Sequence, residues 1–368
     1  MLHQNIFASE LKTTDIGALG AILMDAQTGR VLWQKNSQKK LSMASTTKIM
    51  TATLALENSN PEDIVTVSKS VLSVPEVKLH LTPNEKIKMK YLLYALMLES
   101  SNDAAVAIAE HIAGSVDGFC KMMNEKAKKI GANETIFETP NGLDKGEHHS
   151  TAYDMALIAR YALNNPKFIA LINTPSATFS SDKNTYTVNN KNRLLQEFNG
   201  ANGIKTGFTN KAGHCFVGAA KQNNMQLISV VLGSGWGNRG KEGKWRDTKK
   251  LLNYGFENYK YKHIISKGLV ADYVKINHSR TPNIALRYEK NLVLPLNETE
   301  EENLNIKIEA PKILEAPIKK NEILGVAKIF VGDECIEINL LADNNALRHD
   351  LKTSLEKIIN GWLNPVFS

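Results

Sequence analysis

Near Lys260 the spacing of apolar residues changes character, and this change bounds the possible folds more tightly than any other feature of the chain. Before it, segments of helical composition alternate with β-prone runs. "KYLLYALMLESSNDAAVAIAEHIA" from Lys90 and "TAYDMALIARYAL" from Thr151 read as helices, whereas "LISVVL", Leu227 to Leu232, reads as a strand. After it, "LVADYVKIN", "NIALRY", "NLVLPL", "NLNIKIE", "GVAKIFV" and "ECIEINLLA" are short, β-prone and separated by polar turns, with no helical period. A chain of 368 residues, 42% hydrophobic and 23% charged, is globular in composition and long enough for two domains. The expected organisation is a mixed α/β domain over 8–260, an all-β domain over 261–343 and a terminal helix over 344–368. In that last segment Leu347, Leu351, Leu355, Ile358, Ile359, Trp362 and Leu363 recur at spacings of three and four. Such an amphipathic helix can pack on its own domain, lie on a membrane surface or bind a partner.

Within the first domain, Ala18 to Met24 and Arg30 to Gln34 flank "DAQTG" and read as a hairpin turning at Gly29. A helix should follow from Met43 to Leu56, with Ser42 as its N-cap. "ESSND" interrupts the long helical stretch with residues that favour caps and turns, which places Ser100, Ser101 and Asn102 in a loop between two buried helices. "GFCKMMNEKAKKIGA" reads as a helix ending near Gly131, and the next helix is capped by Ser150 or Thr151. "NGIKTGFTNKAGHCFVGAAKQNNMQLISVVLG" reads as consecutive strands with a turn at Lys221 to Asn224, and "WRDTKKLLNYGFENY" as a closing amphipathic helix.

A net charge of +7 and an isoelectric point near 9.0 favour acidic surfaces through a long-range field. No nucleic-acid motif accompanies the charge, so an anionic membrane or wall polymer is the better partner. Cys120, Cys215 and Cys335 are odd in number and far apart, which suits buried small hydrophobes and neither a metal cluster nor a disulfide framework. No apolar run is long enough for a transmembrane helix. "MLHQNIFASELKTTD" lacks the basic-then-apolar pattern of a secretory signal, which fits a cytoplasmic protein or one whose signal has been removed.

Chemistry enters through "LSMASTTKIM". On a helix, residues three apart share a face, so the Lys48 amine can reach the Ser45 hydroxyl. A lone SxxK is far more often a solvated helix face than a site, and a buried ammonium is costly unless paired, so the pair needs partners. "SSN", Ser100 to Asn102, offers a hydroxyl and an amide at a helix junction. "KTG", Lys205 to Gly207, sits on an expected strand, where Gly207 lets a ligand backbone approach. SxxK, SxN and KTG in this order form the signature of penicillin-binding proteins and serine β-lactamases.

The resemblance extends beyond the motifs. "MASTTKIMTA", "LLYALMLESSNDAAVAIAEHIAG", "MNEKAKKIGANETIFETPNGLD", "HHSTAYDMALIA", "NRLLQEFNGANGIKTGFTNKAGHCFVGAA" and "DTKKLLNYGF" resemble the low-molecular-mass D-alanyl-D-alanine carboxypeptidases from about Ile16 to Phe256. The region beyond is similar to that family's C-terminal half. The resemblance implies an α+β transpeptidase/β-lactamase-like domain, its central antiparallel sheet flanked by helices, then an all-β sandwich and a membrane-docking helix. It also implies a location outside the cytoplasm, peripheral to the membrane, and a signal peptide already removed. The implied substrate is a peptidoglycan stem peptide ending in D-Ala-D-Ala, with β-lactams as covalent inhibitors and no cofactor or metal.

Removing a terminal D-alanine is acyl transfer, so a nucleophile, a base, an oxyanion stabiliser and a grip on a carboxylate are needed. The implied roles give Ser45 as nucleophile and Lys48 as base, its pKa lowered by burial and by the Lys205 cation. Ser100 relays a proton to the leaving nitrogen, and Asn102 orients Lys48 and the substrate amide. The backbone amides of Ser45 and Phe208 form the oxyanion hole. Lys205, Thr206 and a further cation hold the carboxylate; the family position falls on Lys244, with Arg246 as the nearby rival. Many relatives carry arginine there, and lysine would bind as a point charge rather than as a fork.

Two features depart from the family pattern or need weighing: Ser101 stands where glycine is common, and Phe208 is either an aromatic beside the site or simple packing. "EHHS" lacks zinc-ligand spacing, and His149 matches a family histidine of structural character. "NETEEEN", Asn297 to Asn303, reads as a solvated turn, and the lysines of "QKNSQKK" as surface. The competing readings are a serine β-lactamase, for which no acidic residue in a matching motif activates water, and a non-catalytic wall-binding or penicillin-sensing protein, which would not need all of Ser45, Lys48, Ser100, Asn102 and Lys205.

Overall fold

The computed structural model of the chain describes residues 11–349 together with 355 and 359. The chain divides between Glu257 and Asn258 into two compact units.

The first unit opens with the expected hairpin, β1 (Gly20–Asp25) against β2 (Val31–Lys35). Next comes α1 (Lys48–Asn58), then a small two-stranded pair, β3 (Ile64–Thr66) with β4 (Lys86–Lys88). The helices α2 (Met89–Tyr94), α3 (Asn102–Ala113), α4 (Val116–Lys129), α5 (Ala152–Ala162) and α6 (Pro166–Asn173) follow. A second hairpin, β5 (Ser176–Ser180) with β6 (Thr185–Asn189), and a short α7 (Leu194–Glu197) lead to β7 (Ala201–Thr209), β8 (Gly213–Gln222), β9 (Met225–Leu232) and α8 (Gly237–Asn258).

The central sheet is antiparallel throughout, in the order β2-β1-β9-β8-β7. It is covered on both faces, which is why β1 is buried at every position instead of alternating. Ile22, Met24, Val217, Val230 and Leu232 join the helical core, while Leu23 and Leu227 lie close beneath Gly255 of α8. β7 is an edge strand, so among the described residues one side of its backbone has no strand partner.

Ser42 is not the cap of the SxxK helix. The chain enters through a 3-10 turn, Ala44–Thr47, whose preceding residue Met43 is already in the helical region without a side-chain cap. Thr46 Oγ1 and Thr47 Oγ1 satisfy the turn by donating back to the carbonyls of Met43 (2.6 Å) and Ala44 (2.8 Å). The "ESSND" break is real: α2 continues as a π turn, Ala95–Glu99, and Ser100 takes a left-handed conformation (φ 72°). Asn102, expected in the loop, is the first residue of α3. Thr151 caps α5 by accepting from the Asp154 amide at 3.0 Å. α8 starts earlier than its sequence suggests, at Gly237.

The second unit holds a six-stranded sheet, β14-β16-β17-β12-β11-β15, and a separate pair, β10 with β13. These strands are β10 (Lys260–Ile265), β11 (Val270–Asn277), β12 (Asn283–Tyr288), β13 (Leu292–Leu296), β14 (Asn305–Glu309), β15 (Ile313–Glu315), β16 (Ile323–Val331) and β17 (Glu334–Ala342). Ile265, Leu292, Leu294 and Leu296 of the pair share one core with Val274, Ile284, Leu286, Ile329 and Leu340 of the sheet. The run "NETEEEN" is not a turn: Glu298–Glu302 form a short helix, α9, begun by a capping box between Asn297 and Glu300. Cys120 and Cys215 are buried, but Cys335 is exposed. The amphipathic helix expected over 344–368 does not begin there. Residues 344–349 are not helical: Ala346 and Arg348 form β-bridges to Ile318 and Ser279, and Ala346 is buried in the β-domain core. Beyond 349 only 355 and 359 are described. Of its apolar positions, Leu347, Leu355 and Ile359 are described and exposed.

Candidate active site

The 3-10 turn delivers Ser45 directly ahead of α1, so Lys48, the first residue of that helix, lies one turn behind it. Lys48 is fully buried, and its Nζ has oxygen neighbours within hydrogen-bond range on three residues: Ser45 Oγ at 2.8 Å, Asn102 Oδ1 at 2.8 Å and the Asn141 carbonyl at 2.5 Å. Burial holds the amine well below its ordinary pKa, the Lys205 cation adds to this, and only the Asp103 carboxylate opposes it. A neutral amine has two N–H groups and one lone pair. In the neutral form the two carbonyl oxygens are placed to take both hydrogens, which would leave the lone pair for the Ser45 hydroxyl.

Each carbonyl is held in place by its own framework. Asn102 Nδ2 donates to the carbonyls of Pro75 (3.2 Å) and Glu76 (3.0 Å), which fixes the amide orientation and turns Oδ1 toward Lys48. The Asn141 carbonyl comes from the "PNG" turn, 93 residues away in sequence. That turn presses on the nucleophile's own turn: a Cβ on Gly142, whose φ is +86°, would stand 2.0 Å from the Ala44 carbonyl oxygen and 2.9 Å from Ser45 N. Behind it, the His148 Nδ1 accepts from the Glu138 amide at 3.0 Å and Nε2 lies 2.9 Å from Thr47 Oγ1. The hydrogen therefore sits on Nε2 and points at Thr47, in a neutral ring whose pKa burial pushes down to about 4.

The opposite wall is the edge strand β7. Gly207 passes so close that a Cβ there would lie 3.0 Å from Ser45 N and 3.1 Å from the Met43 carbonyl. Lys205 is buried, its pKa pushed down to about 7 by burial and then by Lys244. Lys244, reached from α8, is itself buried and lowered to about 8, by burial above all, with Lys241 adding to it against the Cys215 thiol. Three buried amines thus act on one another in series, Lys244 on Lys205 and Lys205 on Lys48, and an anion bound beside Lys205 and Lys244 would relieve their repulsion.

The chain matches the model of the D-alanyl-D-alanine carboxypeptidase family, peptidase S11, over residues 7–235, and that of the penicillin-binding protein 5 C-terminal domain over 259–347. The chain belongs to the D-alanyl-D-alanine carboxypeptidase family. It is 32% identical over 354 residues to the D-alanyl-D-alanine carboxypeptidase DacF of Bacillus subtilis, covering 94% of this chain and 90% of that protein. With the D-alanyl-D-alanine carboxypeptidase DacC of Escherichia coli it shares 31% identity over 348 residues, covering 90% of this chain and 85% of that protein. The crystal structure of penicillin binding protein 5 from Haemophilus influenzae superposes with a TM-score of 0.78 at 28% identity, covering 93% of this chain and all of that one. This carboxypeptidase is accordingly a serine-type hydrolase and a penicillin-binding protein.

In the carboxypeptidase, Ser45, Lys48 and Asn102 meet directly, and Gly207 comes up against the Ser45 amide. Ser100 occupies the left-handed position at the head of α3. Ser101, beside it, is buried with no hydrogen-bond partner for its hydroxyl. Thr206 is partly buried on β7, and Phe208 exposes its ring. The two cations left open by sequence separate clearly. Lys244 acts on Lys205, whereas Arg246 is engaged with Asp247 Oδ1 at 3.0–3.1 Å, and Asp247 in turn accepts from the amides of Gly17 and Ala18. The buried structural histidine is His148, not His149. Sequence reasoning missed the Asn141 carbonyl, Gly142 and the clamp of Pro75 and Glu76 on Asn102. The "PNG" turn signal was the only hint, because backbone carbonyls carry no residue signature.

Proposed function

We propose that Ser45 is the nucleophile of a D,D-carboxypeptidase and Lys48 its general base. The observation that carries this is the 2.8 Å approach of Ser45 Oγ to a buried amine that also has two carbonyl oxygens, of Asn102 and Asn141, within hydrogen-bond range. Ser45 Oγ bonds to the carbonyl carbon between the two D-alanines as its proton passes to Lys48. The C–N bond breaks, and Ser100 relays the proton to the departing amine. Water, deprotonated by Lys48, then hydrolyses the ester and regenerates Ser45. Asn102 orients Lys48 and the substrate amide. The Ser45 and Phe208 amides stabilise the oxyanion beside Gly207, and Lys205, Thr206 and Lys244 hold the terminal carboxylate.

The substrate in this reading is a peptidoglycan stem pentapeptide, and β-lactams acylate the same serine. The catalytic domain spans 8–260, the β domain 261–343, and the segment 344–368 lays the enzyme on the outer face of the cytoplasmic membrane. Fluorescent penicillin should label the protein stably, with the adduct mass on the peptide containing Ser45, while a diacyl-D-Ala-D-Ala peptide releases D-alanine. Rapid drug turnover would favour a β-lactamase, and absence of both reactions a binding protein.

The amines set the pH profile. Lys48 must be neutral, so kcat/KM falls on the acid side as it protonates. On the alkaline side Lys205 and Lys244, at about 7 and about 8, lose the charge that binds the carboxylate. kcat/KM for the peptide should therefore decline from about pH 7 upward, mainly through KM, while a thioester substrate lacking the terminal carboxylate keeps its rate. Lys244→Ala should raise KM for the peptide about tenfold, the worth of one charge-assisted bond, and an unchanged KM would remove Lys244 from the carboxylate site.

A further inference from the structure

To hold a carboxylate at neutral pH, Lys244 must stay charged while buried. Among the described residues no carboxylate pairs with its ammonium and no hydrogen bond fixes it. Its charged surroundings are mostly of its own sign: Lys205 on β7, Lys241 on α8, Arg193 ahead of α7 and the basic ring of His214 on β8. Only Glu242 and the Cys215 thiol act in its favour. What does lie against the ammonium is the next residue in the chain. Lys244 Nζ stands over the Trp245 indole, 4.9 Å from the ring centroid, within the range at which an indole face attracts a cation. Neighbours on a helix project about 100° apart, so the lysine stem bends across the ring to put the ammonium there.

The ring itself is held. Trp245 is 4% exposed and packs at 4.6 Å and 59° on Phe216, which is fully buried and lies opposite Thr206 in the pairing of β7 with β8. The Arg193 guanidinium carbon is also 5.7 Å from the indole, but Arg193 already has Glu197 and Glu242 at 2.7 and 2.8 Å. Lys244 has the ring instead of a counterion. The difference matters for binding, because a carboxylate partner would occupy the ammonium and compete with the substrate. A π face supports the charge and takes none of its three N–H groups.

We propose that Trp245, seated on Phe216, is a positioning residue of the carboxylate site, its indole face supporting the Lys244 ammonium while leaving the N–H groups free for the substrate's terminal carboxylate. The inference rests on the carboxypeptidase reading given above. The test replaces Trp245 alone, in the full chain, by tryptophan analogues with one, two and three ring fluorines, which weaken the π face stepwise and keep the shape. KM for Nα,Nε-diacetyl-L-Lys-D-Ala-D-Ala should rise roughly twofold per fluorine, with kcat nearly constant. Weaker support for the charged form lowers the pH at which Lys244 loses its proton, so the alkaline rise in KM should begin at lower pH with each fluorine. The methyl thioester of Nα,Nε-diacetyl-L-Lys-D-Ala, which has no terminal carboxylate, should be hydrolysed at the same rate throughout.

A KM independent of fluorine number overturns the assignment, as does an alkaline limb that stays in place or moves to higher pH. Equal losses on the peptide and the thioester would show that the indole only supports the fold. A fluorine effect that persists in a Lys244→Ala background would also overturn it, since the ring would then act on another group. Two measurements on the unfluorinated chain test the underlying reading separately: a wild type that releases no D-alanine, or a Lys244→Ala variant with unchanged KM, would sink that reading before any fluorine is introduced.

Discussion

Lys48→Ala should cut the rate of penicillin acylation by on the order of 10³- to 10⁴-fold although Ser45 remains in place, which is the full contribution expected of a positioned base. The serine hydroxyl has no other amine within hydrogen-bond range among the described residues; its other neighbour is the Asn141 carbonyl at 3.4 Å, which cannot take a proton at neutral pH. The substitution leaves Asn102 Oδ1 and the Asn141 carbonyl without a donor, costing about 1–3 kcal/mol for each, partly offset because a buried amine is also removed. The chain should therefore still fold, with a melting temperature lower by several degrees, at about 2–4 °C per kcal/mol. Lys48→Arg should not restore the rate, since guanidinium stays charged and cannot accept the proton. Acylation within tenfold of wild type in Lys48→Ala would place the base elsewhere.

Gly142→Ala should be the most damaging single-methyl change near the site. The added carbon would meet the Ala44 carbonyl at 2.0 Å, and that oxygen is backbone in the turn carrying Ser45, so neither partner can swing aside. Strain from the positive φ adds to the collision, for a total of about 3–5 kcal/mol. The turn must retreat, and the Asn141 carbonyl moves away from Lys48 with it. Misplacement by about 1 Å costs on the order of 100-fold in rate, so acylation should fall by that much at temperatures where the variant is still folded. Gly114→Ala is the control: its φ is +73° but nothing lies within 4 Å of the new methyl. It should lose some stability and keep its acylation rate. Equal acylation rates in the two variants would show that the approach of the "PNG" turn to Ser45 does not matter to the chemistry.

What could be read in advance was whatever depends on short-range geometry. The three-residue spacing of Ser45 and Lys48 puts them on one helical face wherever the helix packs, and the "ESSND" interruption breaks a helix through the capping preferences of its own side chains. The loss of helical period near Lys260 coincides with the division between the two units. Even "NETEEEN" carried an Asn-x-x-Glu capping pattern that foretold α9 and was read as a turn.

Long-range packing decided the rest. α8 begins at Gly237 despite three glycines in its first turns because Gly240 sits against the backbone of Gly235 with no room for a side chain, a contact that outweighs poor helix propensity. Lys244 and Arg246 are two residues apart on that helix and so point different ways, one toward Lys205 and the other to Asp247. His148 rather than His149 is buried because it is the one that fits between Thr47 and Glu138. The spacing of Ser45 and Lys48 was set by the chain itself. The lowered pKa of that amine was set by the fold, since only packing could bury it and bring the carbonyl of residue 141 within hydrogen-bond range.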